Sequence, residues 1–212
     1  MRRGLSVGAL LVCACSGAVV LDRISILVND RVIKASDIDR DVRVTSFINE
    51  DPLSFTPATR KKAAERLIDQ ALIRREVDAA AYPAATNDEI TRLLEQLRKQ
   101  RGARFAAELT KYGISEDQLR RQLGWQVTVL HFIEQRFRPG VLVSDEEVKK
   151  YFEEHKTSFR RTSDGAKAPA LEEVRDAIEQ QIAGERVNTE FFSWLERARK
   201  RADVRFREAD LK

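Results

Sequence analysis

The sequence is poor in cysteine, histidine, glycine and proline, and each shortage excludes a class of protein. Its 212 residues include only two cysteines, Cys13 and Cys15, so the chain beyond them has no disulfide framework and no cysteine ligand for a metal. Two histidines are too few for the usual zinc sites. Nine glycines and five prolines do not suit a low-complexity chain. What remains is a domain that folds by packing alone.

The sequence also lacks the short motifs on which many enzymes depend. It has no glycine-rich phosphate loop, no G-x-S-x-G turn and no carboxylate pair that stands out from surface charge. His131 lies among apolar residues of a predicted helix, and His155 lies at a predicted helix end, where a cation favours the helix dipole. Both histidines therefore have structural explanations, and we expect no catalytic residue, no cofactor and no metal ion.

Charge of both signs is abundant. Charged residues make up 34% of the chain and hydrophobic residues 42%, a balance typical of amphipathic helices. The formal net charge is +4, from 38 basic and 34 acidic residues, and loss of Arg2 and Arg3 would reduce it to +2. Because the two signs alternate along predicted helices, the charge does not favour nucleic-acid binding.

The first residues predict an export signal. Met1, Arg2 and Arg3 form a basic start, an apolar run over residues 5–16 follows, and small residues surround Ala18. The run is shorter than the roughly 20 apolar residues that a membrane-spanning helix needs. We expect residues 1–18 to be cleaved as a signal peptide, with no membrane span. The alternative is a lipid anchor on Cys15, since V-C-A-C loosely resembles a lipoprotein motif.

The chain that follows predicts a β-hairpin and then a series of helices. Residues 22–28 and 31–34 are β-prone and flank Asn29 and Asp30, which tolerate the positive φ of a tight turn. Ser36 with Asp39 predicts the capped start of a helix that reaches about Asn49. Further capping residues predict helices from Thr56 and Pro57 to about Ala81, from Thr86 to about Gln100, over residues 103–111 up to Gly113, from Ser115 to Phe137, from Ser144 to about Lys156, and from Leu171 onward.

Helical spacing predicts which faces are buried. Leu119, Leu123, Val127 and Leu130 form one apolar face of the helix from Ser115, which we expect to be central. The helix predicted from Pro57 places four basic residues on its solvent-exposed face: Arg60, Lys61, Arg74 and Arg75. Four aromatic residues fall on periodic apolar faces and are predicted to pack in the core: Trp125, Phe132, Phe191 and Trp194. Residues 157–170 have no apolar period and predict a linker, and residues 203–206 predict a strand that joins the hairpin.

Several of these segments together resemble the SurA family of parvulin-type foldases. The hairpin "VNDRVIKASDID" is similar to the start of that family, and "ERLIDQALIRREV", "ITRLLEQLRKQRG", "YGISEDQLRRQL" and "VSDEEVKKYFEEHK" follow in the family's order. The segment from Leu171 to Phe206 resembles the family's last helix and closing strand. The resemblance implies a mostly α, multi-helix, SurA- or trigger-factor-like peptide-binding fold with a small N-terminal hairpin that a C-terminal strand joins.

The resemblance also exposes a difference. Relatives carry one or two parvulin isomerase domains between the last two long helices, whereas here residues 157–170 take that place. A domain needs about 50 residues or more. We therefore predict a helical chaperone domain over residues 19–156, a linker over 157–170 in place of the isomerase domain, and a helix and strand over 171–212 that complete the core.

This organisation predicts a periplasmic chaperone that holds unfolded or nascent envelope and outer membrane proteins, without prolyl isomerase activity. Aromatic and apolar residues at a break or on a short helix are the candidates for client binding: Phe47, Leu53, Phe55, Phe105 and Tyr112. One alternative is a dedicated partner of a single envelope protein, for which the linker could permit a homodimer by helix exchange. A prolyl isomerase by family descent is the third hypothesis.

Overall fold

The computed structural model describes residues 22–162, 169–208 and 211. The predicted signal peptide, the site of its cleavage and Cys15 lie outside the described residues. The elements, in chain order, are β1 (Ile24–Val28), β2 (Arg31–Lys34), α1 (Ala35–Asn49), α2 (Pro57–Ala79), α3 (Asn87–Arg101), α4 (Phe105–Tyr112), α5 (Glu116–Phe137), α6 (Asp145–Thr162), α7 (Leu171–Arg201) and β3 (Val204–Phe206). The predicted mostly helical fold with a small sheet is confirmed.

The sheet joins the two ends of the described chain. Its order is β2-β1-β3, with β1 antiparallel to both neighbours. Asn29 supplies the positive φ of the β1–β2 turn, at 53°, and its side-chain oxygen accepts the Asp203 amide proton at 3.0 Å. The predicted hairpin and its third strand are therefore both present.

Local capping residues define most of the helix starts. Thr86 and Glu89 form a reciprocal capping box at α3, Ser115 and Gln118 form one at α5, and the Ser144 hydroxyl accepts the Glu147 amide proton at α6. Thr56 caps α2 ahead of Pro57, as predicted. Gly113 ends α4 with a φ of 64°, the left-handed conformation that a residue without a Cβ adopts at little cost.

Two predictions about helix ends are wrong. Helix α1 begins at Ala35 rather than after Ser36, because the Asp37 carboxylate accepts the Lys34 amide proton while Ser36 donates its own amide proton and its hydroxyl to Asp22. Helix α6 continues to Thr162, so residues 157–162 of the predicted linker are helical. His155 consequently lies within α6 rather than at its end, stacked on Tyr151 with a centroid distance of 4.0 Å.

The apolar residues of the described ranges form three clusters. The main core lies between the sheet, α1, α2, α5 and the C-terminal half of α7, and includes Ile26, Ile38, Phe132 and Trp194. The second core joins α1, α3, α4 and the start of α5 around Phe47, Leu94 and Leu119. The third joins α6 to the N-terminal half of α7 through Val148, Phe152 and Ile178. We call it the hairpin core because α6 and α7 form a helical hairpin, which is separate from the β1–β2 hairpin.

Helix α5 spans the main and second cores, as expected of a central helix. Leu119, Leu123 and Val127 are buried, but Leu130 is 60% exposed and does not belong to the predicted buried face. By contrast, Trp125, Phe132, Phe191 and Trp194 are all buried, which confirms them as packing residues. No helix in the described ranges is long and apolar enough to cross a bilayer.

Candidate functional site

The surface with the most distinctive chemistry is a groove bordered by β2, α1, α2 and α5. It consists of two adjoining clefts of about 280 and 590 Å³. Arg74, Arg121 and Trp125 line both clefts, so the two clefts meet at these residues. We call the two clefts together the Trp125 groove. It extends from Arg31 and Val32 on the hairpin, past Trp125, to Tyr82 and Ala84 beyond the end of α2.

The hairpin end of the groove combines an open strand edge with amide side chains. Strand β2 is an edge strand of the sheet, and Val32 on it is 41% exposed. Gln70 from α2 and Gln118 and Gln122 from α5 lie along the same cleft. A glutamine amide both donates and accepts hydrogen bonds, so this wall can bind the backbone of an extended polypeptide.

The acidic groups at this end already have cationic partners. Asp41 is buried and accepts a hydrogen bond from Arg66 Nε at 3.0 Å, and Asp37 accepts one from Arg40 Nη1 at 2.8 Å. Burial raises the pKa of Asp41 above its ordinary value, and the Arg66 guanidinium opposes that rise. These pairs make the α1 wall of the groove locally neutral.

The middle of the groove is different because its cations lack such partners. The Arg74 guanidinium lies over the Trp125 ring, 4.0 Å from the ring centroid. Among the described residues, neither Arg74 nor Arg121 donates a hydrogen bond to a carboxylate. Burial, together with the positive charge of Arg31, lowers the pKa of Arg74, and the single carboxylate of Asp78 opposes that shift. The centre of the groove is therefore cationic.

A second cleft, of about 600 Å³, lies between the end of α5 and the middle of α7. Its neighbourhood exposes two large apolar side chains, Leu142 at 83% and Phe192 at 63%. Its cations are paired, since Arg136 binds Glu76, and Arg186 binds Glu147 and the Leu142 carbonyl. The Arg136 bond joins α5 to α2, and the Arg186 bonds tie α6 and the segment before it to α7, so both arginines have a structural role.

The structure does not bring the five predicted client-binding residues together on a surface. Phe47, Phe105 and Tyr112 are buried in the second core, where the Phe47 ring meets the other two edge-on at 6.1 and 5.7 Å. Leu53 is half-buried between the main and second cores. Only Phe55 is exposed, at 38%, and the Arg43 guanidinium lies 4.9 Å from its ring centroid. None of the five lines the Trp125 groove.

The groove residues were missed for identifiable reasons. Trp125 has the spacing of a packing residue and is indeed buried, so its position under Arg74 could not be recognised from the sequence. Helical spacing predicts that Arg74 and Arg75 are both exposed to solvent, but Arg74 is half-buried and Arg75 is exposed. The only local signal was the density of arginine in "IRREV" and "LRRQL", on two helices that were not known to be neighbours.

The two histidines take part in structural contacts. His131 Nε2 lies 2.9 Å from Glu89 Oε1, so the side chain connects α5 to the start of α3. His155 Nδ1 lies 2.8 Å from the Tyr151 carbonyl oxygen. In the part of the chain that the structure describes, no group of three or more histidine, cysteine, aspartate or glutamate side chains is arranged to hold a metal ion.

Comparison with known proteins places these features in context. No family model matches the chain. The chain is 26% identical to Chaperone SurA of Legionella pneumophila strain Philadelphia 1 over 157 residues, which cover 70% of this chain and 35% of the relative. It is also 26% identical to Chaperone SurA of Pseudomonas aeruginosa PAO1 over 152 residues, which cover 68% of this chain and 36% of the relative. The chain thus spans about a third of the length of these curated relatives.

A solved structure supports the same comparison at the level of the fold. It comes from a study of two structurally related SurA-like chaperones of Campylobacter jejuni, the virulence factor PEB4 and the periplasmic protein Cj1289. The TM-score is 0.55 at 14% sequence identity, and the alignment covers 89% of this chain and 100% of the other. This chain therefore has a SurA-like fold and is similar in sequence to SurA chaperones, which confirms the predicted resemblance.

Proposed function

We propose that this chain is a periplasmic chaperone that holds unfolded envelope proteins, including outer membrane proteins. Similarity to proteins named Chaperone SurA supports a chaperone role, as does the SurA-like fold. The observation that carries the proposal is the Trp125 groove, because it combines an open strand edge, amide side chains and apolar contacts in one channel. This combination suits a surface that binds many sequences weakly.

The groove suits an extended polypeptide segment rather than a folded surface. An edge strand leaves every second backbone amide and carbonyl without a strand partner, and an extended client can pair with them. Strand β2 is short, which limits such pairing to a few hydrogen bonds. The exposed Val32 side chain would add apolar contact at the same place. We infer modest affinity for each segment and little dependence on its sequence at this end of the groove.

We further propose that the chain acts in the periplasm. The basic and apolar start of the sequence supports export, and one of the two related SurA-like chaperones, Cj1289, is described as a periplasmic protein. We also propose cleavage after Ala18. The rest of the chain would then form a domain over residues 19–156 and a segment over residues 171–212 that completes its core.

The proposed chaperone has no isomerase activity of its own. Helix α6 ends at Thr162 and α7 begins at Leu171, so only residues 163–170 separate them. A domain of usual size requires about 50 residues or more. This short connection supports the proposal, and a protease-coupled prolyl assay that detects catalysed turnover by the purified protein would contradict it.

The central test measures the aggregation of a client. A denatured outer membrane protein is diluted into buffer with increasing amounts of the purified protein, and light scattering is followed. We expect suppression that grows with dose and approaches completion near a stoichiometric ratio. If aggregation proceeds unchanged, the holding function is refuted, and a dedicated partner of one envelope protein becomes the better hypothesis.

Two matched variants locate the client surface in the same assay. Val32→Ser and Leu142→Ser each remove an exposed apolar side chain, but only Val32 lines the Trp125 groove. We expect Val32→Ser to require more protein for equal suppression and Leu142→Ser to behave as the parent protein. The reverse pattern would move the client surface to the cleft between α5 and α7.

A further inference from the structure

The cationic centre of the Trp125 groove indicates which client segments it prefers. We propose that Arg74 and Arg121 select extended segments that carry an acidic side chain, with the carboxylate bound beside Trp125. This inference rests on the proposed function, because it names a substrate class for the same groove. It goes beyond that function by predicting a charge preference in a site otherwise suited to many sequences.

Arg74 is held in a geometry that suits a carboxylate ligand. Its guanidinium lies over a buried indole, a contact that restrains the side chain and stabilises its charge. A guanidinium has five N–H donors at its edges, and stacking on a ring face leaves those edges available. Trp125 therefore acts as a positioning residue that presents the Arg74 donors to the groove before any ligand arrives.

The charges around Arg74 are out of balance. Asp78 is the one acidic residue that lines the Tyr82 end of the Trp125 groove, and its carboxylate lies 3.8 Å from Arg31 as well as near Arg74. Arg121 adds a further positive charge to both clefts. The Asp78 carboxylate is thus shared by Arg31 and Arg74, and among the described residues no carboxylate is hydrogen-bonded to Arg121. Because burial and Arg31 also lower the pKa of Arg74, a ligand carboxylate would relieve an existing electrostatic cost.

The position of the cationic centre within the groove indicates the source of the carboxylate. The groove continues on both sides of the Arg74–Trp125 contact, toward Val32 in one direction and toward Tyr82 in the other. A chain that lies along the groove therefore extends past the cationic centre at both ends. A carboxylate at this point belongs to an internal aspartate or glutamate side chain rather than to a chain terminus.

The test uses fluorescence anisotropy with three labelled peptides at low salt. The first has a central aspartate between valines and an amidated C-terminus, the second has asparagine in place of the aspartate, and the third has the asparagine with a free C-terminus. We expect the aspartate peptide to bind at least about fivefold more tightly than either asparagine peptide, since the pair formed is better shielded from water than an exposed ion pair. Added salt should reduce the difference.

Charge-matched variants assign the preference to residues. Arg74→Gln and Arg121→Gln should each bring the two amidated peptides to within about twofold of each other. Arg75→Gln and Arg120→Gln remove the same charge from neighbouring positions on the same helices, and neither residue lines the groove. These two controls should keep the full preference. If Arg74→Gln fails to fold by circular dichroism, Arg121→Gln decides the matter, because its side chain is exposed.

Three outcomes would overturn the inference. They are equal affinity for the aspartate and asparagine peptides, a preference that survives in both groove variants, and tighter binding of the peptide with the free C-terminus than of the aspartate peptide. In each case the aggregation assay decides separately whether the chaperone function stands. Suppression of client aggregation without a charge preference would leave the holding function intact, whereas absence of both peptide binding and suppression would refute both proposals.

Discussion

At the scale of single residues, Arg101 is a buried arginine outside the groove with several partners. It is only 5% exposed, and its guanidinium donates hydrogen bonds to the Phe47 carbonyl at 2.7 Å and to Glu108 at 2.8 Å. The same group lies 4.9 Å from the centroid of the Phe47 ring. Arg101 thereby connects the ends of α1 and α3 to α4. A buried charge is tolerated only where partners of this kind replace water.

Removal of Arg101 should destabilise the second core severely. Arg101→Ala leaves the Phe47 carbonyl without its donor and the Glu108 carboxylate with only the longer contact to Arg104. Loss of one member of a buried pair costs about 3–5 kcal/mol. Urea denaturation followed by circular dichroism measures the change in unfolding free energy.

Arg104→Ala provides the control for that measurement. Arg104 contacts the same Glu108 carboxylate at 3.7 Å, but its side chain is 71% exposed. An exposed ion pair contributes about 0–1 kcal/mol, so this variant should stay close to the parent protein. Equal losses in the two variants would show that Arg101 contributes no more than surface charge.

At the scale of elements, the features that the sequence predicts well are those with local causes. The capping boxes at Thr86 and Ser115, the proline start of α2 and the glycine end of α4 depend on residues a few positions apart. Ser36 shows the limit of such patterns. Its hydroxyl donates a hydrogen bond to Asp22, fourteen residues earlier, so it does not cap the helix, and α1 begins at Ala35. Only the hairpin fold brings these two residues together.

Leu130 shows a second limit. By helical period it shares a face with Leu119 and Leu123, which pack into the second core. Among the described residues, the second core contacts α5 only near Leu119 and Leu123, so the same face of α5 is exposed to solvent at Leu130. Periodicity predicts the direction of a side chain, but the length of the neighbouring helices decides whether anything covers it. For the same reason, the Trp125 groove could not be predicted before α2 and α5 were known to be adjacent.

The junction of the hairpin turn with β3 gives an element-scale prediction. Asn29 adopts a positive φ, donates its amide proton to the Asp203 carbonyl at 2.8 Å, and accepts the Asp203 amide proton on its side chain. Asn29→Gly keeps the turn conformation but loses the side-chain bond, at a cost of about 1 kcal/mol. Asn29→Ala loses the bond and also strains the left-handed backbone, so it should cost about 2–3 kcal/mol.

Thermal and urea unfolding of both variants separate these two contributions. If Asn29→Ala is no less stable than Asn29→Gly, the turn is not strained by a Cβ, and the argument from φ fails. If neither variant is destabilised, the side-chain bond to β3 contributes nothing measurable.

At the scale of the whole molecule, α7 belongs to two parts of unequal size. Its C-terminal half packs Phe191, Trp194 and Leu195 into the main core and leads into β3, which pairs with β1. Among the described side chains, its N-terminal half packs against α6 and the segment before it, through the small hairpin core. Within those side chains the hairpin core buries three residues, far fewer than the main core, so the two parts should differ in stability although one continuous helix joins them.

Hydrogen exchange tests this difference directly. We expect amides of α6, and of α7 before Ala183, to exchange through local opening. The free energy of that opening should be lower than the free energy of opening at α2, at α5 and at α7 beyond Val187. The reason is that fewer apolar contacts are lost when the hairpin core opens. Ile178→Ala should widen the gap by removing a buried side chain from the hairpin core alone, at a local cost of about 2–5 kcal/mol. Uniform protection along α7, or an equal loss of protection in the main core of Ile178→Ala, would show instead that the molecule opens as a single cooperative unit.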